Sequence, residues 1–463
     1  MTTGYDGSVL NGLQAVDLWN EHFGNPHGAI LGVATSSLAI GTAIGVLFMP
    51  YINDRFGRKI CVILGSIVVA VGVVIQTCAI NMGMLIASRI VMGLGSPLSL
   101  AGAAQLVVEL AYPKERSTIV GLFQGTWYAG AILAAGVTLG TYKWTNHWSW
   151  RLPTLFQILP SILTLTAIWF VPESPRWLVS KDRHDEALQI LIKYHAEGDE
   201  TSAFVAAEFF QIRETLRKEK EASKSPWKDF VATRANRRRI FVAICVGFFT
   251  QWSGNGLISY YLAKVLALVG ITSRTTQNQL NLGLNCWNLC TAMISSWLAG
   301  WVLRRRQLVT AYVCMTIMFA SYTACAGVYA GDGSNKHAAV AVVALIFLFN
   351  ASYNLMQPFQ YLYIGEIFPF IQRSKGIAVM QMSVRIASVF NQMVNPIGME
   401  NLAWKFFIVY VVWLVIETTT VYFFFPETQG PMLEEMALVI EGDKAAVGVV
   451  NSKAAQVEEK EHV

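Results

Sequence analysis

Ionisable side chains stand in this sequence where apolar residues surround them. Asp6 lies in Gly4-Tyr5-Asp6-Gly7, Arg89 in Ala87-Ser88-Arg89-Ile90, Arg385 in Ser383-Val384-Arg385-Ile386, and Glu417 in a run of aliphatic and aromatic residues. A charge inside hydrocarbon costs about 2.5–3.5 kcal/mol on insertion scales, so such residues face a ligand path, carry a proton, or pair with one another. Arg385 could bond ligand hydroxyls, pair with Glu417, or reach toward a water-filled cavity. Neutral polar groups accompany the charges: Gln124, Gln251, Asn255, Asn285, Asn288, Tyr361, Asn391, Gln392 and Asn395. Amides and phenols donate and accept hydrogen bonds without net charge, so they either hold an uncharged polar ligand or join helices to each other.

Other chemistries are missing their parts. Seven cysteines are scattered through apolar stretches at spacings that suit neither a metal site nor a disulfide framework. No metal-ligand cluster, nucleophile motif or phosphate-binding loop is visible, so the reading is no enzyme, no cofactor and no metal. The net charge of +5 is gathered in particular loops and forms no basic face for nucleic acid.

The elements that carry these residues follow from composition. Hydrophobic residues make up 54% of the 463 and charged residues only 14%, against about 25% charged in ordinary soluble domains. Apolar stretches of roughly 20 residues match a hydrocarbon core of about 30 Å as helices, whose backbones satisfy themselves in lipid. Eleven such spans are expected at 29–52, 60–80, 83–110, 117–140, 151–171, 239–264, 276–301, 306–329, 338–365, 375–397 and 404–425, with 1–18 as the outer part of one more. The expected fold is therefore an all-α membrane protein of two six-helix bundles with the first helix truncated.

This layout divides the chain into an N-terminal bundle over 1–171, a hydrophilic linker with short amphipathic helices over 172–238, a C-terminal bundle over 239–430 and a tail over 431–463. Lys and Arg gather in the loops holding Arg55, Arg58 and Lys59, Lys114 and Arg116, Arg304 to Arg306, and Arg373 and Lys375. The positive-inside rule makes that face cytoplasmic, together with both termini and the linker.

Charged motifs recur between the halves. Asp54-Arg55-Phe56-Gly57-Arg58-Lys59 turns between the second and third spans; Pro172-Glu173-Ser174-Pro175-Arg176 follows the sixth, and Pro426-Glu427-Thr428-Gln429-Gly430 the twelfth. Glu109 precedes Arg116 by the same interval as Glu366 precedes Arg373. Repeated spacing is the trace of a duplication. The charges read as a cytoplasmic ion-pair latch of Asp54, Arg58, Glu109, Arg116, Glu173, Arg176, Glu366, Arg373 and Glu427, or as simple helix stops at the membrane surface. The second-half loop, Gly300-Trp301-Val302-Leu303-Arg304-Arg305, lacks the acid of its counterpart, which leaves the part this loop plays in the latch open.

The set Gly4-Tyr5-Asp6-Gly7, the loop motif, Pro-Glu-Ser-Pro-Arg, Glu366-Ile367-Phe368-Pro369 with Arg373, and Pro-Glu-Thr-x-Gly resembles the sugar porter branch of the major facilitator superfamily. Gln251-Trp252-Ser253-Gly254-Asn255-Gly256 with Tyr260-Tyr261, and Val394-Asn395-Pro396-Ile397-Gly398, resemble the fungal lactose permease and cellodextrin transporter group. In that family about half of the first span precedes the Gly-Tyr-Asp-Gly motif, at which this chain almost begins. The resemblance implies a monomeric plasma-membrane protein in the lipid bilayer, with a small-molecule sugar and a proton as partners. It also implies that Asp6 takes up the proton and pairs with Arg89, the charged acid locking the pair and protonation releasing it. Gln124, Gln251, Asn288 and Tyr361 fall on sugar-contacting positions; Asn255 and Arg385 join them as candidates, and Tyr260 and Tyr261 resemble an outer gate. Thr250 and Gly256 replace amides, which widens the expected pocket toward a disaccharide. Facilitated diffusion of a hexose and sugar sensing without transport are the competing functions.

Overall fold

The structure is a computed structural model that describes residues 1–112, 115–223, 227–299, 301–332, 335–368 and 370–428. Among these residues the regular structure is helical, without a strand. The first span is Thr2–Leu13, about 18 Å of helix. Gly28–Phe56, Arg58–Thr77, Met82–Leu110 and Arg116–Thr141 form the second to fifth spans, and Trp148–Phe170 the sixth. In the second half, the seventh span is two helices, Arg234–Trp252 and Asn255–Leu268, and the eighth is Arg274–Leu298. Arg304–Asp332 is the ninth, Lys336–Met356 and Phe359–Ile367 the tenth, Phe370–Leu402 the eleventh and Phe406–Phe424 the twelfth.

Side-chain caps begin several of these helices. Asn81 accepts from the Met84 N–H at 2.8 Å, Thr233 from Asn236 at 3.1 Å and Asn335 from Ala338 at 3.1 Å. Eight stretches of described residues are apolar and long enough to cross a bilayer, the last running through both the eleventh and twelfth spans. The eighth span falls outside that set because Gln277, Asn278, Gln279, Asn281, Asn285 and Asn288 depress its hydropathy.

Small residues let helices touch backbone to backbone, which is how packing is gained in lipid. A Cβ on Gly4 would fall 1.8 Å from the Trp127 carbonyl oxygen, one on Gly41 2.3 Å from that of Ile90, and one on Gly32 2.8 Å from that of Met393. The first contact joins the first and fifth spans and the second joins the second and fourth, all in one lobe; the third crosses to the eleventh span of the other lobe. Between lobes, the second span packs on the eleventh and the fifth on the eighth. A pseudo-twofold that adds six to each span number converts one pair into the other.

Between the lobes in sequence, Pro175–Ser180, His184–His195, Ala203–Ser223 and Trp227–Ala232 are helices. Ala187 packs with Trp177, Leu178 and Val179, and Phe209 and Ile212 lie against them. His195 ties this layer to the fourth span, its Nδ1 lying 2.7 Å from Glu208 and its Nε2 3.1 Å from the Leu110 carbonyl.

Candidate functional site: the seam between the lobes

At the face opposite the basic loops, the lobes are sewn together by polar side chains. Asn11 of the first span donates to Asn281 of the eighth at 3.1 Å, and Gln14 donates to the Tyr260 carbonyl at 2.9 Å. Thr35 of the second span lies 2.5 Å from the Tyr261 phenol, which donates to the Gln392 carbonyl at 2.7 Å. Tyr142 meets Thr275 at 2.6 Å, and at the rim Asp17 pairs with Arg274 at 3.0 Å and His27 with Glu400 at 3.9 Å. Both tyrosines expected at the outer gate sit in this seam, Tyr261 through its side chain and Tyr260 through its carbonyl.

Within the C-terminal lobe the amides form two hydrogen-bonded groups. The seventh span breaks at Ser253-Gly254, where Gly254 has φ +98° and a Cβ would fall 2.7 Å from the Phe319 ring. The break presents Gln251 and Asn255 at adjoining helix ends. The Gln251 carbonyl accepts from Asn391 at 2.7 Å, and Asn391 in turn accepts from Tyr410 at 2.7 Å. Tyr410 also bonds Asn395. A Cβ on Gly256 would fall 2.2 Å from the Asn391 amide nitrogen. The room expected from glycine at this position is therefore filled by an asparagine of the eleventh span. Thr250 likewise turns back on its own helix, donating to the Gly247 carbonyl at 2.9 Å. Asn288 accepts from Asn354 at 3.2 Å, and Asn354 also donates to Thr291 at 2.7 Å.

Asp6 is 1% exposed in the first span and Arg89 3% exposed in the fourth. They form no ion pair within 4 Å. Gln157 donates to one Asp6 oxygen at 3.2 Å, while the other oxygen, and Nε and Nη1 of Arg89, lack hydrogen-bond partners. Tyr5 fixes the turn beside Asp6 by donating to the Pro153 carbonyl at 2.8 Å. Glu417 is 0% exposed and makes no ion pair within 4 Å with Arg385 of the eleventh span.

At the basic face each lobe is tied by a carboxylate at a helix start. Gly57, with φ +101°, turns the chain so that the N–H groups of Arg58 and Lys59 point at Glu173, which accepts from them at 3.1 and 3.2 Å. A carboxylate there meets unpaired N–H groups and the positive end of the helix. Arg58 forks onto Glu109 at 3.1 and 3.3 Å, and Ser174 also donates to Glu109. Asp54 is mostly exposed, 3.8 Å from Arg58. In the other lobe Glu427 accepts from the Arg305 N–H at 3.1 Å, and Arg304 pairs with Glu366 at 2.9 Å. The second half thus builds the same tie without the missing acid, because the acid's counterpart Asp54 is peripheral and Glu109 and Glu366 supply the pairing charge. These ties join elements within one lobe. Arg176 lies on the helix Pro175–Ser180 and Arg373 near the start of the eleventh span.

The profile of the sugar (and other) transporter family matches residues 1–439. The chain belongs to that family. The sugar transporters most like it include the high-affinity glucose transporter of Kluyveromyces lactis, 27% identical over 452 residues, covering 94% of this chain and 81% of that protein. The galactose-proton symporter of Escherichia coli K12 is 27% identical over 394 residues, covering 83% of this chain and 82% of the symporter. The inward-open xylose transporter XylE from E. coli superposes with a TM-score of 0.77 at 20% identity, covering 95% of this chain and 96% of that one. This sugar transporter is accordingly a multi-pass membrane protein of the major facilitator fold.

Of the residues expected to serve this sugar transporter, Gln251 and Asn255 lie at the break of the seventh span, and Asn288 bonds the Asn354 that Tyr128 of the other lobe reaches. The side chains of Gln124, Tyr361 and Arg116, and the tail over 431–463, lie outside the described residues. The sequence reading passed over Gln157, Thr35, Tyr128, Asn354 and Gln357. Each is a polar residue in an apolar span, so the signal was available in type. Which of them face one another was not.

Proposed function

We propose that this sugar transporter takes up a neutral sugar together with a proton by alternating access, with its basic face in the cytoplasm and the opposite face outside. The observation that carries this reading is the pair of buried, incompletely bonded charges, Asp6 and Arg89, on facing spans of the N-terminal lobe. A carboxyl held away from water by packing, with only Gln157 bonded to it, gains or loses its proton at a large energetic difference. Movement of Arg89 toward or away from that carboxyl would couple its protonation to the tilt of the first span.

The sealed seam around Tyr260 and Tyr261 acts in this reading as the outer gate, closed in the state described. Each lobe rocks as a unit because Glu173 with Arg58 and Glu109, and Glu427 with Arg304 and Glu366, brace its inner end. The amides of Gln251, Asn255 and Asn288 bind sugar hydroxyls, which match them as neutral donors and acceptors. The resemblance to fungal disaccharide carriers makes lactose and cellobiose the first sugars to try. The named glucose and galactose relatives make hexoses the next.

The test is uptake of each labelled sugar in yeast lacking its own carriers, with the pH of an unbuffered medium recorded. Uptake with alkalinisation is expected, and Asp6→Asn should abolish accumulation against a gradient while sugar exchange persists. Accumulation-free uptake with no proton movement would make this a uniporter. Surface expression with no movement of any sugar would favour a sensor.

A further inference from the structure

One polar contact between the lobes lies deeper than the outer seam. Tyr128, buried midway along the fifth span, points its hydroxyl across to the tenth span, 2.9 Å from Asn354 Oδ1 and 2.6 Å from Gln357 Oε1. Its single proton serves one of these acceptors at a time. Asn354 and Gln357 are the last polar side chains before Pro358, where the tenth span breaks. From Asn354 the chain of bonds continues to Asn288 Oδ1 at 3.2 Å and Thr291 at 2.7 Å on the eighth span. The inter-lobe bonds Asn11–Asn281, Gln14–Tyr260, Thr35–Tyr261 and Tyr142–Thr275 lie toward the outer end. A phenol has the donor and acceptor capacity of a sugar hydroxyl, and here it meets the amide that holds Asn288.

We propose that the Tyr128–Asn354–Gln357 bridge stands in for sugar in the empty carrier, allowing the lobes to close without substrate and so setting the rate of unloaded return. This rests on the alternating-access reading above. A carrier that closes empty must bury the amides its sugar would have satisfied, and orphaned buried amides oppose closure. The bridge supplies one acceptor at a time, Asn354 or Gln357, with a donor from the opposite lobe. When sugar is bound, its hydroxyls meet the amides, and the bridge is dispensable.

Net uptake into sugar-free vesicles requires empty return, whereas exchange of labelled for unlabelled sugar does not. Tyr128→Phe removes the hydroxyl and keeps the ring. It should slow net uptake by roughly threefold to tenfold, the effect of one hydrogen bond, and leave the exchange rate within about twofold of wild type. In a Gln357→Ala background, where sugar contact is itself weakened, Tyr128→Phe should change the ratio of net uptake to exchange little further. The exchange assay also confirms that each variant is folded. Equal loss of net uptake and exchange, or no change in either, overturns the bridge. Absence of exchange in the wild type overturns the transport reading itself, and the bridge's role with it.

Discussion

A glycine in the middle of a polar site usually signals room, and Gly256 has none. Its Cα hydrogen faces the Asn391 amide, which bonds the Gln251 carbonyl and accepts from Tyr410. Gly256→Ala should therefore lower the thermal midpoint of the purified protein, by the ~1–3 kcal/mol typical of overpacking. Asn391→Ala should be destabilising alone, through its lost bonds, yet relieve the clash when combined with Gly256→Ala. A less-than-additive loss in the double variant is expected, and strict additivity would contradict the contact. The residue types at this site were readable in the chain: amides in apolar spans, an acid at Asp6, an arginine at Arg89. Their partners were not. Asn391 and Gly256 come from different spans, and nothing local to either announces the other.

Helix starts carry the clearest agreement between repeated sequence and repeated structure. Glu173 and Glu427 each follow the last span of a lobe and each accepts from the first N–H groups of a helix at the basic face. Replacing either carboxylate by its amide removes the charge and leaves one acceptor oxygen in place of two. Glu173→Gln and Glu427→Gln should each reduce stability by about 1–3 kcal/mol, read as a lower thermal midpoint in detergent. Asp54→Asn should change little, since Asp54 is exposed and stands 3.8 Å from Arg58. A larger effect from Asp54 than from Glu173 would reverse the assignment. The duplicated spacing identified these acids, but the missing acid near Arg304 suggested a gap in the second half. The gap closes because pairing depends on Glu366, which sequence distance separates from Arg304 and the fold brings within 2.9 Å.

At the scale of the molecule, the face opposite the basic loops is closed by buried hydrogen bonds and by the Asp17–Arg274 ion pair at the rim. The rim pair Asp17–Arg274 is largely exposed, so it is worth less than about 1 kcal/mol and is weakened by salt. In the proposed orientation, Arg274→Glu should shift the carrier toward the outward-open state by at most about fivefold, and adding Asp17→Arg should restore the balance. An impermeant thiol reagent applied from outside to a Thr35→Cys reporter reads that shift, because Thr35 is buried behind Tyr261 in the closed state. No change in reactivity on charge reversal would mean that the rim pair does not bear on gating.

Hydropathy alone determined that this chain spans a membrane as two helical bundles, because apolar length and backbone self-satisfaction leave a chain in lipid few choices. Motif spacing determined the family resemblance and the tied basic face, because duplicated helix ends keep their charges. The tertiary structure alone decided which lobe each polar group meets: Thr35 with Tyr261, Tyr128 with Asn354 and Gln357, Gln157 with Asp6. Those contacts depend on how far the lobes tilt and how closely glycine-lined helices approach, and periodicity along a single chain records neither.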